Sequence, residues 1–181
     1  MAGEMLKPSP RGRWEKAAAS SNFWLLFLAL FAMNVLRDEL GPWGSTAAVV
    51  VIMGLGSLLL GRRAAPERRE RLARDADRGI VECALRYADA LPGSLRGRWL
   101  PGFAEISSGT IKFQPDYVDK GEPEGKVTVF SDVISQDPVE PPPKRPPELK
   151  KNWKIVALTT DKGRLHLASG EPGVKLIEER L

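Results

Sequence analysis

The chain has 181 residues, with 27 Lys and Arg against 23 Asp and Glu, and the surplus is unevenly placed: residues 1–78 hold twelve basic and eight acidic residues, residues 79–181 fifteen of each. A nucleic-acid binder needs a basic face on its folded part to displace counterions from phosphates, and the C-terminal part has no surplus to offer. The single cysteine, Cys83, excludes an internal disulfide framework and a multi-cysteine metal site.

Residues 1–16 form a short polar tail with Lys7, Pro8, Pro10, Arg11, Arg13 and Lys16. It is expected to be mostly unstructured, with Arg13, Trp14 and Lys16 marking a membrane interface. Residues 17–61 then hold two uncharged runs, 17–36 and 40–61, separated only by Arg37, Asp38 and Glu39. Each run reaches the ~20 residues that a helix needs to cross a hydrocarbon core of ~30 Å. So short a connection turns the second helix straight back, which predicts a two-helix transmembrane hairpin. No small-x-small cleavage site follows the first run, so it reads as an uncleaved anchor. Arg37-Asp38-Glu39-Leu40 resembles a retention signal but is internal.

Lys and Arg number four before the hairpin, one in its connection and six in the thirteen residues after Gly61. By the positive-inside rule both ends face the cytoplasm. Ala47, Gly54, Ser57 and Gly61 share one face of the second helix, and Ala29 and Ala32 offer a gap on the first, so the helices are expected to pack on these small residues. Neither run carries an ionisable residue at its centre, which disfavours a transporter or pore component. The basic connector, residues 62–78, brings Arg62, Arg63, Arg68, Arg69, Arg71 and Arg74. These either fix topology or meet anionic headgroups.

From residue 79 onward the period changes to two. Val81, Cys83, Leu85 and Tyr87 alternate with Glu82, Ala84 and Arg86, a half-buried strand in which Cys83 reads as a packing thiol. Pro92 and Gly93 break it. Ala104 and Ile106, then Ile111 and Phe113, flank the turn pair Ser108-Gly109. Val127, Val129 and Val133 mark another strand. Residues 153–159 are more continuously apolar, like a central strand, and Asp161-Lys162-Gly163 turns them into Leu165 and Leu167, with His166 pointing the other way. A short helix with Val174, Ile177 and Leu181 on one face closes a series of six or seven antiparallel strands.

The segments VECALR at 81–86, Trp99 with Gly102 and Ala104, VFS at 129–131 and VALTTDKGRLHLAS at 156–169 resemble the bacterial pleckstrin-homology-like (PH-like, GRAM-like) domains. Within these the chain is most similar to an actinobacterial family of small membrane-anchored proteins, whose members are expected to carry one anchor where this chain has two. The resemblance covers residues 79–181. It implies a small, all-β, partly open barrel capped by the last helix, with no enzyme activity and no cofactor. Arg outnumbers Lys sixteen to eleven, which fits a GC-rich bacterial genome.

Apparent catalytic and ligand motifs fail on their chemistry. Residues 121–126 are one residue short of a phosphate loop, and Val127 stands where Ser or Thr is needed. Asp75 and Asp77 lack further metal-ligand spacing. One His and one Cys allow no Ser-His-Asp or Cys-His arrangement.

Two features remain. Arg86, Arg96 and Arg98 flank the first strand connection, where lipid-binding PH domains hold headgroup phosphates, a task suited to Arg. Pro138, Pro141, Pro142, Pro143, Pro146 and Pro147 favour polyproline II between residues 136 and 151, either an exposed partner-binding loop or a spacer. The leading reading is a non-enzymatic membrane protein that presents a cytoplasmic interaction module to a protein partner, or serves as an accessory subunit of a membrane assembly. An anionic lipid-headgroup sensor is the alternative. Exposed strand edges are expected docking sites.

Overall fold

The computed structural model describes residues 5–91, 93–117, 121–140, 142 and 145–181, without the side chains of residues 21–23, 36 and 38–40. Pro92, Pro141 and Pro143, and the side chains of Asp38 and Glu39, lie outside the described residues. Two compact units form, one of residues 11–71 and one that joins the tail up to Pro10 to residues 72–181.

The first unit is dominated by the long helix α1 (Arg13–Asp77), which is interrupted at Gly41 (φ 66°, ψ 179°). Only glycine adopts that backbone freely. Pro42 then restarts the helix at a position where its missing N–H is not needed, and its carbonyl accepts from Ser45 Oγ (3.1 Å) and Thr46 Oγ1 (2.8 Å). Contacts on either side of Gly41 pair residues nearly equidistant from it. A Cβ on Gly56 would lie 2.6 Å from Leu25 Cδ2, and the Trp14 N–H donates to Glu67 Oε2 (2.9 Å). The two arms therefore run back alongside each other. Gly41–Asp77 is long and apolar enough to cross a membrane, whereas Arg13–Ser20 and Trp24–Val35 reach that length only together, across a 52° bend.

The expected packing face is corrected. Ala29 is buried as expected, but Gly56 meets the first arm, while nothing lies within 4 Å of a Cβ placed on Gly54 or Gly61. Positions two apart on a helix differ by about 200°. Choosing Gly56 therefore turns Gly54, Ser57 and Gly61 outward.

In the second unit the two-residue period becomes seven antiparallel strands: β1 (Ile80–Tyr87), β2 (Leu100–Ser107), β3 (Thr110–Pro115), β4 (Thr128–Phe130), β5 (Ile134–Val139), β6 (Lys154–Thr160) and β7 (Gly163–Ser169). Their order is β4-β3-β2-β1-β7-β6-β5, so two meanders meet where β1 pairs with β7. Helix α2 (Glu171–Arg180) follows β7. Val81, Cys83, Leu85, Ala104, Ile106, Ile111, Phe113, Val156, Leu158, Leu165 and Leu167 point inward and pack with Val174, Leu176 and Ile177 of α2. Gly173 lets α2 approach, since a Cβ there would sit 2.1 Å from Ser169 Oγ.

The opposite face of the sheet is not left to water. Ala84, Trp99, Ile155 and Ala168 are covered by Leu149 and Trp153. This is why residues 155–158 are uninterruptedly apolar: β6 is flanked by strands on both sides and covered on both faces. Further along the same face Ile80 and Phe103 are covered by Leu6, only 6% exposed. The Leu6 N–H donates to Gln114 Oε1 (2.9 Å), and Gln114 Nε2 donates to the Gly125 carbonyl (3.0 Å). The Ser9 N–H donates to Asp75 Oδ1 (2.9 Å), and Arg78 reaches Ser9 Oγ (2.6 Å). Residues 5–10 are thus folded against the sheet, contrary to the expectation of an unstructured tail.

Candidate functional site

The alternation of β1 sends Arg86 to the outer face, directly opposite His166 of β7. Both nitrogens of its fork approach His166 Nδ1 (3.3 and 3.1 Å), and its guanidinium lies 4.8 Å from the centre of the Trp99 ring. Burial, then the cations Arg86 and Arg164, lower the His166 pKa below its ordinary value. Nδ1 then acts as the acceptor. Next to it Arg164 forks onto Asp89 (3.0 and 2.6 Å), and this bond holds the exposed Asp89 carboxyl below its usual range.

Beyond Tyr87 the chain enters the β1–β2 connection, where the short helix η1 (Leu95–Gly97) is capped by Ser94, whose hydroxyl accepts from the Arg96 N–H. Arg96 lies 5.7 Å above the Tyr87 ring, and both Arg96 and Arg98 are exposed. The three arginines expected to act together are therefore at one end of the sheet in two different states. Arg86 is half-buried and engaged within the domain, whereas Arg96 and Arg98 face solvent. Beside them stand Leu91 and Leu95, each 79% exposed. The sequence reading passed over both, because a lone leucine in a loop has no period to reveal its direction.

Cys83 lies in the core with its thiol pushed far up by burial and secondarily by Glu82, the state of an inert packing thiol. It is on the face opposite His166. The first amide of the stretch that resembles a phosphate loop is taken by a carboxylate: the Gly121 N–H donates to Asp116 Oδ2 (2.7 Å). Among the described residues no His, Cys, Asp and Glu group has the arrangement of a metal site.

The proline segment divides into parts with different roles. Pro138 belongs to β5, opposite Val156, beyond a bulge that starts at Ser135. Pro142 and Pro146 are half-buried and Pro147 is exposed. After them Arg145 donates to the Lys150 carbonyl (2.9 Å), and Lys150 pairs with Glu82. Residues 145–153 thereby cover part of the sheet through Leu149 and Trp153. A groove of about 290 Å³ remains beside it, lined by Glu82, Phe103, Asp116, Glu148 and Trp153 among others.

The six connector arginines also separate. Arg62, Arg63, Arg69 and Arg74 are exposed and Arg68 is half-buried. Arg71 is buried in a forked pair with Glu15 (2.9 and 3.1 Å) and so is not available to a headgroup.

No protein-family model matches the chain, and neither a curated protein nor a solved structure is detectably similar to it.

Proposed function

We propose that this chain is a non-enzymatic, membrane-anchored interaction module that holds a PH-like β unit at the cytoplasmic face of a bacterial plasma membrane, where it docks a protein partner or serves as an accessory subunit. One observation carries the anchoring. Residues 5–10, which precede the apolar arms, are packed on the same β unit that follows them. Both flanks therefore share one side, and the intervening stretch crosses an even number of times. Two antiparallel arms, one of them long enough to span, support a value of two. The four, one and six cations before, between and after the arms orient both ends inward. Two antiparallel meanders capped by a final helix support the PH-like reading.

Cysteine labelling in intact cells tests the arrangement. The native Cys83 is buried, so background is low. An impermeant maleimide should modify Glu39→Cys and spare Glu122→Cys; modification of the second from outside overturns the orientation. Purification in mild detergent should then bring down a stoichiometric protein partner.

One feature favours a second reading, in which the β unit reads anionic lipid. Leu91 and Leu95 precede the exposed Arg96 and Arg98 on one connection, so exposed apolar and basic side chains occur together there. In that case Arg96→Ala with Arg98→Ala lowers liposome binding of the chain, and salt does the same.

A further inference from the structure

The base of the two arms holds more charge than it neutralises. Glu15 accepts from Arg71 and from the Gly12 N–H (3.3 Å), and Glu67 Oε2 accepts from the backbone of Trp14 and of Glu15 (2.9 and 3.3 Å). Both carboxylates are thus committed to holding the arms together. Arg13 and Lys16 on one arm, and Arg62 and Arg63 on the other, are exposed, and none has a carboxylate partner among the described residues. Arg63 instead lies 4.9 Å from the centre of the Trp14 ring, which joins the two arms at this level. Lys16 and Arg62 immediately flank the outer ends of the two uncharged runs. Four unmatched cations and a half-exposed tryptophan therefore sit at one height, on a base that is already clamped.

We infer that this collar is a binding site for an anionic phospholipid of the membrane, whose headgroup phosphate is held between Arg13 and Lys16 on one side and Arg62 and Arg63 on the other. The inference rests on the hairpin reading above. It is separate from the β1–β2 loop, which is part of the other unit. Arg forks match phosphate oxygens in geometry and charge, and a tryptophan at the boundary places its ring at headgroup level. A zwitterionic lipid offers the same phosphate without net charge, so the collar selects for anionic lipid.

The test uses the full chain, reconstituted in nanodiscs of phosphatidylcholine with phosphatidylglycerol, then returned to neutral detergent for native mass spectrometry. Wild type should retain phosphatidylglycerol in preference to phosphatidylcholine. Each charge near a membrane surface changes lipid association about fivefold, so Arg62→Gln with Arg63→Gln, or Arg13→Gln with Lys16→Gln, should lower retention about 25-fold. Arg62→Lys with Arg63→Lys should keep most of it. Arg69→Gln is the control: it removes one charge about 10 Å further along the helix and should change little, whereas charge alone would cost about fivefold. Equal retention of both lipids by wild type, or a loss of about fivefold in Arg69→Gln, overturns the site. Resistance of the chain to alkaline carbonate extraction, measured in parallel, separates the two readings. A chain that stays in the membrane without lipid preference defeats the collar alone, whereas a chain released by carbonate defeats the hairpin and the collar together.

Discussion

The docked tail carries the topological argument, and Leu6→Ala tests it most directly. Leu6 is 6% exposed against Ile80 and Phe103, and its N–H is bonded to the fully buried Gln114. Truncating a buried leucine in a closed core costs 2–5 kcal/mol, but a terminal segment can yield and admit water, which places this site at the low end, about 2 kcal/mol. The backbone bond to Gln114 survives in the docked state and adds nothing to the difference. About 2 kcal/mol lowers the ratio of docked to undocked tail roughly thirtyfold. Hydrogen exchange of the Leu6 and Ser9 amides reads that ratio, because each is protected only while the tail is seated. The protection of both should fall about thirtyfold in Leu6→Ala. The amides of β1 and β7 should keep theirs, since the main core on the other face is untouched. Met5→Ala is the matched control, as Met5 is 59% exposed and should have no effect. If the Leu6 amide of the wild type exchanges at the rate of a free peptide, or if Met5→Ala matches Leu6→Ala, the tail is not held and the even-crossing argument falls.

Three further outcomes follow from named contacts. Arg71→Met strands the buried Glu15 carboxylate and should lower the thermal midpoint in detergent by the equivalent of about 3–5 kcal/mol, with Glu15→Leu added to Arg71→Met recovering most of it; equal losses in the single and double variants would show that the two do not act as a pair. His166 has a folded pKa below its unfolded value, so the unfolded chain binds the extra proton first and stability falls as pH drops below about 6.5; His166→Gln should flatten the melting temperature between neutral and mildly acidic pH, and an unchanged slope would remove His166 as the cause. A Cβ on Gly102 would meet the Gln114 carbonyl at 2.3 Å, whereas one on Gly54 meets nothing within 4 Å; Gly102→Ala should therefore melt well below wild type and Gly54→Ala should not, and a reversed order would contradict the β2–β3 register.

Much of the fold was written in local periods. The inward set of β1, the Ser108-Gly109 turn with Gly109 at φ 67°, and α2 after β7 were each legible from a few neighbouring residues. What escaped depended on residues far apart in the chain. Leu6 is a lone leucine among Lys, Pro and Ser, and only the distant pair Ile80 and Phe103 makes it buried. β5 was hidden because Asp137 and Pro138 argue against a strand, and an edge position tolerates both. The candidate arginines were legible as neighbours of one loop. The state of Arg86, however, is set by a β1–β7 register that links it to a histidine 80 residues away. The face on which the two arms pack was equally unreadable, because Gly54 and Gly56 are both small and only the partner arm chooses between them.

The edges of the sheet decide how a protein partner would be read. The seven strands leave β4 and β5 at the ends, which invites docking by strand addition. Both ends are obstructed. β4 has three residues, and the Val129 carbonyl already accepts from Lys162 Nζ. β5 carries the bulge after Ser135, a charge at Asp137 and, at Pro138, no N–H to donate. Short length, charge, bulge and proline are the devices by which natural sheets refuse another strand. A partner of this unit would then be recognised by side chains, and the largest exposed apolar pair of the β unit is Leu91 with Leu95 on the β1–β2 connection. Leu91→Ser with Leu95→Ser should release a copurifying protein, while Gln136→Lys on the β5 edge should leave it bound. The opposite ranking in the same pull-down would return the docking site to the edge.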